Sequence, residues 1–258
     1  MTQPTQREKA DLFAQLHVQS QPLILTNIWD AGSAQVVEKG GAKAIATGSH
    51  AVAAAHGFED RERLPLELVL ANSERIVASV ALPVSLDIES GYGESAAEVA
   101  VTIERVVKAG AVGINLEDQI IGGEGRYSVQ AQCERLGAAR GVADDLNIPL
   151  FINARTDIYL QAKSEHGEAH LAEAIDRAKA YADAGANGFF APGLRNARVI
   201  ETLCHASPLP VNIMLTDDTP NIKQLAALSV ARISAGPGPY RRMMDALRQE
   251  LSDVQSSL

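Results

Sequence analysis

The amino-acid sequence predicts one α/β domain over residues 1–258, a single parallel (βα)8 barrel of the TIM type. Three observations carry that expectation. One phrase, a helix end followed by a small-residue cap and a short apolar strand, recurs at 40–48, 109–115, 184–190 and, more loosely, 228–234. Further apolar runs lie between those copies at 82–86, 148–152 and 209–214, each beside a proline, and with 23–27 they bring the strands to eight. The stretches between strands carry helical periodicity, and strand and helix alternating eight times is how such a barrel reads. A doubly wound open sheet fits less well, because no G-x-G-x-x-G follows the first strand.

Taken in order, residues 6–18 form an amphipathic helix with Leu12, Phe13, Leu16 and His17 on one side. This extra N-terminal helix, within 1–20, precedes the barrel as a lid or packing element. The first strand ends at Asn27-Ile28-Trp29-Asp30, ahead of a helix over 31–39. Later helices are expected over 66–80, 96–108, 128–145, 167–184, 196–205, 220–228 and 240–254. Residues 119–127 resist assignment. They combine Ile120 and Ile121 with three glycines, and after a fourth barrel strand they would be a mobile loop on the active-site face.

Composition narrows the function. The chain has 258 residues, enough for a full core without an interdomain linker, and a formal net charge of -9. That acidity argues against a nucleic acid or an anionic membrane as partner. Cys133 and Cys204 are too few and too distant for a disulfide framework or a structural zinc site, and read as reduced thiols. Residues 1–15 lack the apolar core of a signal peptide, and no apolar run approaches the roughly 18 residues of a membrane span. A soluble, cytoplasmic protein is expected.

A barrel delivers the C-terminal ends of its strands to one bowl. Asp87 and Glu89, Asn115 and Glu117, and Arg155 and Asp157 are i, i+2 pairs at such ends, and along an extended strand each pair faces one way. Two carboxylates about 5 Å apart at an effective dielectric of about 20 repel by roughly 3 kcal/mol, which a cation relieves. Oxygen donors without His or Cys favour Mg²⁺, with Mn²⁺ as the alternative. Arg155 would clamp a carboxylate, and main-chain N–H groups at Gly48 and Ser49 would hold a further anionic oxygen. The set suits a small di-anionic 2-oxo acid and its enolate. Trp29, Thr47 and Asn212 stand at other strand exits as candidate substrate contacts, with packing under the rim as the commoner role for Trp29.

Plainer readings exist for each. Asp87 and Glu117 could cap helices, Arg155 could serve Asp157 or Glu117, and Asp118 could bond to loop backbone. His166 and His170 stand one helical turn apart but not as H-E-x-x-H, so they read as solvated surface. His50 and His56 are weaker rim candidates. Glu124, Arg126 and Tyr127 ride on the 119–127 loop, where Glu124 and Arg126 are candidate catalytic groups.

Together, residues 27–34, 47–49, 57–60, 87–93, 115–119, 153–157 and 191–194 resemble the phosphoenolpyruvate mutase and isocitrate lyase superfamily. The resemblance implies a Mg²⁺ held mainly by Asp87, with Asp60, Glu89 and Glu117 acting through water on the ion. It also implies substrate binding by Arg155 and the Gly48/Ser49 turn, and makes Asp60 a catalytic candidate. The superfamily usually has Asp where this chain has Glu89. Its lyases carry Lys-x-Cys-Gly-His in the loop after strand four, and its mutases and hydrolases a Lys followed by Asn or Thr. This chain has Gly122-Gly123-Glu124-Gly125-Arg126-Tyr127 there, with neither motif, and Cys133 lies beyond it. Pro192-Gly193, where the lyases place a Glu, points to the phosphonomutase-like side. A carbon–carbon lyase or oxaloacetate-type decarboxylase is the alternative, and a Mg²⁺/2-oxo-acid-binding protein without turnover is the non-enzyme reading. The resemblance further implies a homo-oligomer, dimer or tetramer, with the 240–254 helix exchanged about a Gly236-Pro237-Gly238-Pro239 hinge.

Overall fold

The computed structural model describes residues 4–162 and 167–257. His166 therefore lies outside the described residues. Helix α1 (Gln6–Gln15) starts at Thr5, whose side chain accepts from the Glu8 N–H while the Glu8 carboxylate accepts from the Thr5 N–H. Its buried Ala10 and Phe13 join Leu23, Leu25, Ala46, Val112 and Phe151. The helix thereby covers the N-terminal mouth of the barrel, the packing role expected of it.

The first barrel strand is broken at Thr26 into β1 (Leu23–Leu25) and β2 (Asn27–Ile28), followed by α2 (Ala31–Lys39), β3 (Ile45–Thr47) and α3 (Ser49–Ala55). Then come α4 (Leu66–Ser79), β4 (Val84–Asp87), α5 (Ala96–Lys108), β5 (Gly113–Glu117), α6 (Val129–Asp145), β6 (Phe151–Arg155) and α7 (Ile158–Gln161). The chain continues through α8 (Glu168–Asp183), β7 (Gly188–Phe190), α9 (Ala197–Ala206), β8 (Val211–Met214), α10 (Ile222–Ala227), β9 (Arg232–Ser234) and α11 (Gly238–Ser256). All pairings are parallel in the order β1-β9-β8-β7-β6-β5-β4-β3-β2. Because β1 pairs with β9 and β2 with β3, the two halves of the broken strand close a TIM-type barrel at eight strand positions.

The main core fills the shell between strands and helices, with Ile114, Ile152 and Phe189 fully buried against Ile103, Ala139 and Tyr181. Glycines mark close approaches. A Cβ on Gly113 would stand 2.7 Å from the Phe13 ring, so that strand residue must be small for α1 to seat.

Two short helices, α3 and α7, fall where no helix was expected from the sequence. Two of the three i, i+2 pairs do not lie along a strand. β4 stops at Asp87, and Glu89 sits beyond it at φ 53°, in left-handed backbone. Arg155 likewise ends β6, and Asp157 begins the turn into α7. Only Asn115 and Glu117 share a strand face. The 119–127 loop is a short hairpin, bridged between Gln119 and Arg126, with the Tyr127 N–H donating to Asp118 O at 2.8 Å. α11 begins at Gly238, inside the expected hinge, and has no buried residue, while Met243, Leu247, Leu251 and Val254 form an exposed apolar stripe. Among the described residues no helix is long and apolar enough to cross a membrane.

Candidate active site

An open cleft of about 690 Å³ occupies the C-terminal face of the barrel, and Asp60, Asp87, Asn115 and Arg155 all line it. A second hollow adjoins it, lined by Asp60, Glu89, Glu117, Arg155 and Asp157. The carboxylates and the arginine expected from the sequence thus do converge at one rim. The ends of adjacent strands bring them there, since Asp87 pairs in register with Asn115, and Glu117 with Arg155.

Asp87 is held by backbone. The Ser49 N–H donates to its Oδ2 at 3.3 Å, and its own N–H donates to Thr47 Oγ1 at 2.9 Å. Burial pushes its carboxyl above the usual range, against the pull of Arg155. Glu89 accepts from the Glu62 N–H at 2.8 Å, and burial, with Asp60 and Asp87 nearby, pushes it up to about 8. Arg155 donates to Glu117 Oε2 and Asp157 Oδ1, each at 2.7 Å. Burial alone would lower the Arg155 guanidinium, but Glu117, Asp157 and Asp87 together hold it above its ordinary value. Burial also drives Glu117 well above the carboxylate range despite Arg155, with Asp157 and Asp87 adding to the rise.

Four clustered carboxylates that one arginine does not balance make a site poised for a cation. Asp60 Oδ1 is buried without a hydrogen-bond partner among the described residues, an oxygen left for a ligand. No group of three or more His, Cys, Asp or Glu side chains among the described residues is placed to hold an ion directly. Oxygen-only donors of this kind suit a hard ion such as Mg²⁺, which keeps several waters and takes one or two carboxylates.

Other expected site residues lie elsewhere. The Trp29 ring packs edge-on against Tyr240 with centroids 5.1 Å apart and faces an apolar hollow outside the cleft. Thr47 is spent on the Asp87 N–H, and Asn212 exchanges hydrogen bonds with Ser234. Gly48 and Ser49, now the cap and start of α3, do line the cleft, with the Gly48 N–H spent on Ile28 O and the Ser49 N–H on Asp87. Arg126 turns away from the cleft, with Nη1 on Gln161 Oε1 at 2.8 Å and Nη2 on Glu173 Oε1 at 3.1 Å. Glu124 is exposed at the loop tip and lines neither hollow. Asp118 accepts from the Asp157 N–H, from Arg177 and from the Tyr181 hydroxyl, which makes it a brace between β5 and α8.

Two groups that strand-end reasoning did not single out line the cleft, and a third lies buried inside the barrel. Asn27 lines the cleft and locks β2 to its neighbours, its Nδ2 on Thr47 O and its Oδ1 accepting from the Gly236 N–H. Arg241 reaches the cleft mouth from the first turn of α11. Arg232 is buried within the barrel and carried one signal, a charge inside the otherwise apolar run 230–233.

Comparison with known proteins agrees with this fold. The solved structure of a presumptive phosphonomutase from Burkholderia cenocepacia J2315 superposes with a TM-score of 0.94 at 47% identity, covering 96% of this chain and 99% of that one. The 2-methylisocitrate lyase of Escherichia coli K12 is 31% identical over 202 residues, 76% of this chain and 66% of the lyase. An oxaloacetate decarboxylase of Rhodopseudomonas palustris is 30% identical over 213 residues, 81% of this chain and 71% of that enzyme. Residues 13–255 match the sequence model of the phosphoenolpyruvate phosphomutase family, and with nearly its whole length inside that match the chain belongs to this family.

Proposed function

We propose that this protein is a Mg²⁺-dependent enzyme, with Mn²⁺ as the alternative ion, that breaks or makes a bond beside the carbonyl of a small 2-oxo acid. The observation that carries the reading is the convergence of Asp60, Asp87, Glu89 and Glu117 around one buried arginine. Asp87, Asp60, Glu89 and Glu117 are the residues that would hold the ion, which when bound supplies Lewis-acid stabilisation of the enolate. Arg155 binds the substrate carboxylate, kept charged and oriented by Glu117 and Asp157. Asn115 donates to an anionic oxygen beside Asp87. Phe190, Pro192 and Met214 exclude water from the opposite wall.

We place the reaction on the phosphonomutase-like side, supported by Pro192-Gly193 and by the 47% identity over nearly the whole chain. A second reading, oxaloacetate-type decarboxylation, is favoured by the outward turn of Arg126 and the exposure of Glu124. Without a loop-borne acid or base, loss of CO₂ needs only a stabilised enolate. The apolar stripe of α11 supports a homo-oligomer, dimer or tetramer.

The test is ³¹P and ¹H NMR of the protein with Mg²⁺ and, separately, phosphonopyruvate, oxaloacetate and 2-methylisocitrate, each repeated with EDTA. Phosphoenolpyruvate or phosphate from the first supports carbon–phosphorus chemistry, whereas pyruvate from oxaloacetate moves the protein to the second reading and pyruvate from 2-methylisocitrate to a carbon–carbon lyase. Mg²⁺-dependent oxalate binding with no product from any substrate leaves a binding protein without turnover. If Asp87→Ala binds metal and oxalate like the parent, the site assignment is wrong.

A further inference from the structure

Arg232 is 1% exposed, on β9, inside the barrel, and among the described residues it has no ion-pair partner. Burial pulls its guanidinium down to about 9, with the charge of Asp87 acting in the other direction. Its Nε and Nη1 have no hydrogen-bond partner among the described residues. Among the described residues its one hydrogen bond runs from Nη2 to Asn115 Oδ1, at 3.2 Å. An apolar side chain would fill this volume without the cost of desolvating a cation, so packing alone does not account for an arginine.

The bond it makes resolves an ambiguity. Asn153 Nδ2 donates to the same Asn115 Oδ1 at 2.8 Å. Two facing asparagines can form such a bond in either sense, because each amide carries a donor and an acceptor. A guanidinium has donors only. It therefore admits one sense, with Asn115 Oδ1 turned inward to Arg232 and Asn153. Asn115 also lines the cleft, and its Nδ2 makes no hydrogen bond within the described residues.

We propose that Arg232 is a positioning residue: by donating to Asn115 Oδ1 from inside the barrel, it fixes the Asn115 amide with its NH₂ group toward the cleft, as donor to the anionic oxygen of the bound ligand. The ligand half of this rests on the 2-oxo acid reading above. The orientation half does not, because it is a property of the free protein.

The experiment uses Arg232→Gln, Arg232→Lys, Asn153→Ala, Asn115→Ala and the double variant Arg232→Gln/Asn115→Ala. Thermal melts confirm that each is folded. The ¹⁵N side-chain amide signals of Asn115, assigned by their loss in Asn115→Ala, report orientation, and titration with oxalate in Mg²⁺ reports binding. Lysine keeps a donor-only group, so Arg232→Lys should retain one set of Asn115 signals and oxalate affinity within about threefold. Glutamine can also accept, so Arg232→Gln should shift or double the signals and weaken oxalate roughly tenfold. The double variant should then bind no more weakly than Asn115→Ala alone, since both changes remove one interaction.

Unmoved Asn115 signals in Arg232→Gln, or losses that multiply in the double variant, would overturn the proposal. If Arg232→Gln does not fold, Asn153→Ala decides. Arg232 alone should keep the single orientation, and a split Asn115 signal there would assign the role to Asn153 instead. Failure of the parent protein to bind oxalate would sink the 2-oxo acid reading, while the amide signals would still decide whether Arg232 orients Asn115.

Discussion

Arg155 Nη1 stands 2.7 Å from Glu117 Oε2, and the two residues are register partners on β6 and β5. The ion pair is built by the sheet itself, since in-register ends of neighbouring strands deliver both side chains to one spot. Arg155→Met should therefore leave Glu117, Asp157 and Asp87 crowded without their cation. Removing one partner of a buried pair costs about 3 kcal/mol. A thermal melt should show a lower Tm that Mg²⁺ partly restores, and oxalate affinity should fall at least a hundredfold. An unchanged melt would mean that Arg155 does not balance the acids.

His17, stacked on Phe151 with ring centroids 3.9 Å apart, offers a pH test far from the cleft. Burial, with Arg232 nearby, depresses its pKa to about 3, so it stays neutral in the native state. The unfolded chain takes up a proton below about pH 6.5 and the native protein does not. His17 thus contributes stability above that pH that is lost as pH falls toward its folded pKa, about 2 kcal/mol between pH 7 and pH 5. The difference in Tm between parent and His17→Phe should narrow or reverse by roughly 4–8 °C over that interval. Parallel melting curves would show that His17 is protonated alike in both states.

Arg126 clasps Glu173 across the base of the 119–127 hairpin in a partly exposed pair. Such pairs contribute about 1 kcal/mol or less. Arg126→Ala should speed hydrogen exchange over residues 119–127 and lower turnover by less than tenfold. A thousandfold loss with loop exchange unchanged would restore Arg126 as a catalytic group.

Among the described residues Arg241 has no ion pair, and it lines the cleft from the start of α11. A substrate with a second anionic group meets a cation there that is not already committed, as Arg155 is. Arg241→Met should raise KM roughly tenfold for such a substrate while kcat stays within about threefold. Equal losses for substrates with and without the distal anion would refute this role.

The apolar stripe on α11 predicts a self-association surface. Leu247 is 61% exposed in the single chain. Leu247→Glu should shift the mass measured by light scattering to a smaller species, and an unchanged mass would place the interface elsewhere.

Much of the fold was legible because barrel strands buried on both faces read as short apolar runs, and caps such as Ser95 with Glu98 announce helix starts. The two elements that escaped, α3 and α7, are single short stretches beginning at Ser49 and Ile158. Their backbone is set by what surrounds the cleft rather than by local period. Asp87, Glu117 and Arg155 were legible as strand-end groups. Glu89 reached the same place for a different reason, through a left-handed turn and the Glu62 N–H rather than strand alternation. Thr47, Asn212 and Arg126 misled because residue type and position at a strand exit do not say which way a side chain is spent.

The sequence by itself determined the alternation of strand and helix, the barrel it implies, and which strand ends carry acids, because period and turn chemistry are local properties of the chain. Only the tertiary structure decided that Arg155 is shared by Glu117 and Asp157, that Arg126 turns outward to Glu173, and that Arg232 lies beneath Asn115. Those outcomes depend on register between strands and on contacts such as Arg232 with Asn115, 117 residues apart, whose geometry exists only once the barrel has closed.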